Sequence, residues 1–294
     1  MRPIIKLTIF CLAVILIAAG FSKRPPAPAS PPPAEAVPPS NKVPPAGSLD
    51  ARSEIEDVAL NSSCKRAKFD EKGSPPQGYM RGVALSYARA VCNPNAGEVI
   101  VASKPLGSSS SDALAWYGLR PADAAERLQF TYALTIGSAA RESDWRWFVG
   151  RDTLAKESDR RECASGSGKT CEAGIHQTSY NSRSADPSLP LLFAHYRTSK
   201  AGCFSTEYKG ASKGDAANLK NWGSDPNAVE FQRLQKECPG FAVEGHAVML
   251  RVSRSHYGPI NRKKALFKKE CVQMFKDVKK VIDRVGCDGV KDWE

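Results

Sequence analysis

The chain has 294 residues, 41% apolar and 25% charged, with 42 Lys and Arg against 31 Asp and Glu and a net charge of +11. That length can bury a sizeable core, and the composition excludes collagen-like and wholly disordered chains. No apolar run beyond the N-terminus is long enough to span a bilayer, which excludes a polytopic membrane protein.

Arg2 and Lys6 form a short positive start, and residues 7–20 then run fourteen positions without a charge, closing on Ala18, Ala19 and Gly20. This is the pattern of an export signal cut after Gly20, so residues 1–20 read as a signal peptide. The competing reading is an uncleaved N-terminal anchor, although the apolar stretch falls short of the roughly 20 residues that cross a bilayer. Cleavage removes Arg2, Lys6 and Cys11, and lowers the net charge from +11 to +9. Residues 21–48 follow as a linker: ten of the chain's 21 prolines lie between positions 24 and 47. Such a stretch builds no core and forms an extended tether, reaching on the order of 70 Å at about 3.1 Å per residue.

From residue 49 the pattern turns helical and continues as one domain to residue 294. Amphipathic spacing predicts helices over 50–60 and 79–92. Residues 97–111 read as loop with a short strand at 99–101. A strong helix is predicted to open at Pro121, where a proline suits the first turn, and to run to Glu142. Leu128, Tyr132, Ile136 and Ala140 recur every four residues along it. Residues 150–186 are rich in Gly, Ser and Asp and read as loop, and helices are predicted over 189–196, 226–238, 241–257 and 262–285. The fold class is mostly α, with one core.

Eight cysteines remain after cleavage, an even number that in an exported chain indicates four disulfides. Closing the shortest loops suggests Cys64–Cys92, Cys163–Cys171, Cys203–Cys238 and Cys271–Cys287. Zinc is the other use of cysteine, but no C-x-x-C spacing occurs and the four histidines are scattered, so neither a metal nor another cofactor is expected. Export makes nucleic acid an unsuitable partner for the basic charge. Lys263, Lys264, Lys268, Lys269, Lys276, Lys279 and Lys280 on the last helix read as a solvated face, the alternative being an anion-binding surface.

Gly166-Ser167-Gly168-Lys169-Thr170 mimics the end of a phosphate-binding loop. The first glycine of that pattern is missing, with Cys163 near its place, and the charged Asp159-Arg160-Arg161-Glu162 precedes it instead of a strand. The segment is read as a decoy.

Three segments point to chemistry. Ala140-Arg141-Glu142-Ser143 ends the strong helix ahead of Trp145 and Trp147. Ala173-Gly174-Ile175-His176-Gln177 leads into Thr178-Ser179-Tyr180-Asn181. His256-Tyr257-Gly258-Pro259-Ile260-Asn261 joins the last two helices. A carboxylate at a helix end beside apolar rings is expected to lose hydration and keep its proton, as a general acid at a glycosidic oxygen must. Gln177, Tyr180, Tyr257 and Asn261 offer hydrogen bonds to sugar hydroxyl and N-acetyl groups. Trp145 offers a ring to a pyranose face or to the core, and His176 is a packing or substrate-side residue.

Glu-Ser after a helix, then Gly-Ile-x-Gln, then Tyr-Gly-Pro-x-Asn resembles the lysozyme-like superfamily of lytic transglycosylases and goose-type lysozymes, over about residues 120–265. The resemblance implies a lysozyme-like α-helical domain, stapled by disulfides, in the periplasm, the cell envelope or outside the cell. It implies peptidoglycan as partner and cleavage of the β-1,4 bond between N-acetylmuramic acid and N-acetylglucosamine, with Glu142 as acid and base. His176 departs from the usual Met or Phe, the gap from Glu142 to Gln177 is long, and the third motif lacks the Tyr-Asn adjacency. A lytic transglycosylase needs Glu142 alone. A hydrolase needs a second carboxylate roughly 5–5.5 Å away when retaining, or about 6.5–9.5 Å away when inverting. Glu172 and Asp152 are the candidates. A wall-binding module without turnover, a chitin-cleaving glycosidase and an exported toxin acting on another cell's wall are the other readings. Membrane contact is expected only through an uncleaved N-terminus.

Overall fold

Ala51, Ile55 and Ala59 recur every four residues and turn one face of the first helix, α1 (Gly47–Asn61), into the core. The computed structural model describes residues 47–151, 156–209, 220–290 and 293, all within the unit Val43–Glu294. The expected signal peptide, nearly all of the proline-rich linker and Asp152 lie outside the described residues.

A short α2 (Ser63–Arg66) starts where the Ser62 hydroxyl accepts the Lys65 N–H, and a 3-10 turn at Asp70–Lys72 leads into α3 (Gln77–Cys92). α3 is buried along nearly its whole length and is the central helix, with α1 against it. Residues 97–103, expected as loop and strand, form α4 (Gly97–Ser103). Val99 and Ala102 lie one helical turn apart and pack inward while Ile100 faces solvent, so tertiary burial overrides the strand preference of a Val-Ile-Val run. After α5 (Ala113–Trp116) comes the expected long helix, α6 (Ala124–Ser143). It opens three residues past Pro121 because the Asp123 carboxylate accepts the Glu126 N–H at 2.8 Å. Its stripe Leu128, Tyr132, Ile136 and Ala140 is buried, as the spacing required.

The stretch expected as loop contains α7 (Glu157–Ser165) and a two-stranded antiparallel hairpin, β1 (Glu172–Ala173) and β2 (Thr178–Ser179), with Glu172 opposite Ser179 and Ala173 opposite Thr178. A 3-10 segment, Tyr180–Ala185, follows. α8 (Ser188–Thr198), α9 (Ser205–Tyr208), α10 (Pro226–Glu237) and α11 (Pro239–Val252) then lead through a 3-10 turn at Arg254–His256 to α12 (Gly258–Asn261). α13 (Lys269–Val285) begins seven residues later than expected. Among the described residues the fold is mostly helical around one principal core, in which Tyr132 of α6 meets Tyr87 of α3 and Phe275 of α13 edge to ring, and the latter two rings are tilted against each other.

All eight cysteines pair. Cys163–Cys171 and Cys203–Cys238 join as expected, but Cys64 bonds to Cys271 and Cys92 to Cys287, spanning 207 and 195 residues. The shortest-loop assignment of Cys64–Cys92 and Cys271–Cys287 is therefore corrected. α13 packs on α1, α2 and α3, so that Cys271 near its start reaches Cys64 in α2 and Cys287 just past its end reaches Cys92 at the end of α3. Four disulfides place the domain in an oxidising compartment. Among the described residues no helix is long and apolar enough to cross a membrane. Of the seven lysines expected on the last helix, Lys263, Lys264 and Lys268 precede α13; within it Lys276 pairs with Glu126, Lys279 with Asp283 and Lys280 with Asp277.

Candidate active site

α6 ends with the backbone of both Asp144 and Trp145 at positive φ, and the Trp145 N–H closes back on the Ala139 carbonyl. The neighbours of Glu142 are committed elsewhere. Arg141 grips Asp70 and Glu71, Asp144 pairs with Lys72, and the Ser143 hydroxyl donates to the Ile175 carbonyl at 2.8 Å. This last bond joins the Glu-Ser pair to the second motif. Glu142 itself is half-buried.

The second motif is the hairpin loop. Gly174 sits at φ +76°, where a Cβ would strike the Gln235 carbonyl, so a glycine is required. Gln177, also at positive φ, turns its side-chain amide back to the Gly174 carbonyl at 2.9 Å. Thr178 and the Tyr257 phenol lie 3.0 Å apart, which joins the second motif to the third. Burial pushes the Tyr257 phenol far above its ordinary value, Thr178 opposes, and Glu142 and Glu172 add to the rise. Both carboxylates thus act on one buried phenol.

Beside Glu172 lies a cavity of about 250 Å³, lined by Arg151, Arg160, Glu172, Ser179, Asn181 and His256, with the Cys163–Cys171 disulfide in its wall. Glu142 is not among its lining residues.

Several expected substrate contacts are placed differently. Trp145 is 2% exposed, its Nε1 donates to the Ile136 carbonyl and its ring meets Phe69 edge-on, so it is core. Tyr180 is packed between Phe193 and Phe231. Asn261 is exposed and accepts from Arg254. Gln177, as bonded, supports the hairpin. His176 is fully buried and stacks on His246 with ring centroids 3.8 Å apart. None of the four nitrogens of these two rings hydrogen-bonds to a described residue. Burial depresses His176 to about 3, His246 well below its ordinary value, and His256 in the same direction, so all three are neutral near pH 7.

The false phosphate loop has a physical resolution. The Glu162 carboxylate accepts from the Ser167 and Thr170 hydroxyls and from the Lys169 and Thr170 N–H groups. Burial would raise it, but those hydrogen bonds bring it down to about 2. The donors a phosphate would need are taken by the chain's own carboxylate.

Arg151, Arg160, Ser179 and His256 line the cavity without being site candidates on the sequence pattern. His256 stands in the third motif, and Glu172 and Ser179 share a face because they are cross-strand partners in the hairpin. Strands of two residues are too short for an alternating pattern to announce that pairing. Among the described residues no cluster of His, Cys, Asp and Glu could hold a metal ion. No protein-family model, curated protein or solved structure matches the chain.

Proposed function

We propose that this protein is an exported glycosidase that cleaves the β-1,4 bond between N-acetylmuramic acid and N-acetylglucosamine in peptidoglycan, with Glu142 as general acid and base. The observation that supports this reading is the pair of hydrogen bonds, Ser143 to Ile175 and Thr178 to Tyr257, that gathers three distant motifs around one half-buried carboxyl. The carboxyl is partly buried and stands in the last turn of α6. The proton passes to the glycosidic oxygen as that bond breaks, and the carboxylate then takes a proton from the attacking group. In a transglycosylase that group is the sugar's own 6-hydroxyl. In a hydrolase a second carboxylate takes part, and Glu172 on the cavity wall is its candidate here. The oxidising compartment required by the disulfides suits a periplasmic, envelope or secreted enzyme.

Purified sacculi incubated with wild type and with Glu142→Gln test the assignment. Release of soluble muropeptides is expected to disappear in the variant while circular dichroism is unchanged. Retained release removes Glu142 from the chemistry. Mass spectrometry of the wild-type products separates the routes, anhydro ends marking transglycosylation and reducing ends marking hydrolysis.

A further inference from the structure

Between Glu244 and Glu270 the chain carries seven Lys and Arg residues and no acid. Two are used inside the fold: Arg251 is bonded to Asp112, and Arg254 donates to the Ser109 carbonyl and to Asn261. The other five, Arg262, Lys263, Lys264, Lys268 and Lys269, lie within eight residues at the entry to α13. Lys268 is half-buried and the other four are exposed. Among the described residues none of the five forms an ion pair, whereas Lys276, Lys279 and Lys280 further along α13 each have a carboxylate partner. Like charges this close repel one another, and Lys268 and Lys269 stand at the start of a helix, the end that favours acid over base. No described carboxylate offsets that repulsion.

The segment is nonetheless held firmly. Lys263 and Lys264 donate their N–H groups to the Ile260 and Pro259 carbonyls, and the Lys264 carbonyl accepts from Arg141 of α6 at 3.0 Å. The Leu266 carbonyl lies so close to Gly137 that a Cβ there would strike it, and Ala265 is buried. Lys263 keeps a positive φ of 54°, a strained conformation for a lysine. Its ammonium stands 4.5 Å from the centre of the Trp116 ring, with the Arg254 guanidinium 4.1 Å from the same centre, and the Trp116 Nε1 donates to the Ile260 carbonyl. Trp116 is only half-buried. A partly exposed indole with its N–H already bonded and cations beside it is the chemistry of a membrane–water boundary, where the ring lies at headgroup level and the cations meet lipid phosphates. Five cations spread along eight residues suit a surface bearing many negative charges better than one small anion. The residues ahead of the domain have the pattern of an export signal or anchor followed by a tether, which brings a bilayer within reach. We propose that residues 262–269 and Trp116 form a docking face for the anionic headgroups of a lipid bilayer. The face is independent of the glycosidase reading, although the Arg141 bond sets it next to the turn that carries Glu142.

The full chain is tested by cosedimentation with vesicles of phosphatidylcholine alone and of phosphatidylcholine with roughly one third phosphatidylglycerol. Any contact through the apolar N-terminus is common to both, so the ratio of the two affinities reads the basic face. That ratio is expected to be about a hundredfold or more at low salt and to shrink as salt rises. Two triple variants remove the same charge: Lys263→Gln with Lys264→Gln and Lys269→Gln, and Lys276→Gln with Lys279→Gln and Lys280→Gln. At about fivefold per lysine, the first should lower the ratio roughly a hundredfold, and the second should leave it within about twofold. Lys263→Gln alone, expected to lower it about fivefold, carries the comparison if circular dichroism shows a triple variant to be misfolded. Equal binding to the two vesicles overturns the proposal, as do equal losses in the two triple variants, which would make net charge alone the cause. A soluble inorganic polyphosphate is the last probe. It is expected to bind more weakly than vesicles of the same phosphate content, and equal or tighter binding overturns the bilayer in favour of a soluble polyanion.

Discussion

Ser143 shows how one hydroxyl can couple chemistry to fold. It stands next to Glu142, it is buried, and its bond to the Ile175 carbonyl ties the end of α6 to the hairpin loop. Ser143→Ala leaves that carbonyl without its donor and is expected to destabilise the fold by about 1–3 kcal/mol. Urea unfolding followed by circular dichroism measures this. Muropeptide release should fall as well, because Glu142 shares the same turn; an unchanged rate with lowered stability would show that Ser143 serves packing alone. Trp145 carries the opposite lesson. The helix period gives no hint that two successive residues at positive φ fold the chain back, so a ring two positions past the helix looks available and is in fact beneath it.

Among elements, the loop between α4 and α5 depends on one buried ion pair. Arg251 of α11 binds both oxygens of Asp112 at 3.1 and 3.0 Å and also donates to the carbonyls of Ala102, Lys104 and Pro105. Asp112 accepts the N–H groups of Gly107 and Leu114. Neither side chain of the pair is exposed. Arg251→Met strands the Asp112 charge in the interior and is expected to cost roughly 3–5 kcal/mol. The denaturation midpoint of the variant measures it, and a loss below about 1 kcal/mol would mean that the loop relaxes to let water reach Asp112. The Arg89–Glu244 pair, joined by Tyr196, plays a similar part between α3 and α11. Legibility follows range at this level. The stripe of α6 is a matter of neighbours three and four residues apart and reads directly from the sequence. α4 takes its form from packing on α6 and α11, which the Val-Ile-Val run does not foretell.

The whole molecule has a pH response set mainly by its histidines. His176, His246 and His256 are held below the ordinary pKa of 6.5 by burial. Above pH 6.5 both folded and unfolded chains keep them neutral. As pH falls below that value the unfolded chain takes up protons that the folded chain refuses, so stability declines from about pH 6.5 towards 3. Each of the two stacked residues contributes up to about 1.4 kcal/mol per pH unit in that window. Glu162, held down to about 2, adds to the loss below 4.5. Glu244 opposes in part: its burial outweighs the pull of Arg89 and raises it above 4.5, so the folded state there binds the extra proton. Urea midpoints from pH 7.5 to 4.5 should therefore fall, and His246→Phe should flatten the decline. A midpoint constant over that range would mean that the stacked rings reach protons in the folded state.

The sequence by itself determined the helical class, the long amphipathic helix that ends in Glu142, the need for an oxidising compartment and the two short disulfides, Cys163–Cys171 and Cys203–Cys238. Each of these depends on residues near one another along the chain, or on composition. Only the tertiary structure decided the two long disulfides, the inward turn of Trp145 and Gln177, the carboxylate that fills the false phosphate loop, and the charged cavity beside Glu172. Those outcomes arise where segments far apart in the chain compete for the same space and the same hydrogen-bond donors, and burial, not local pattern, chooses among them.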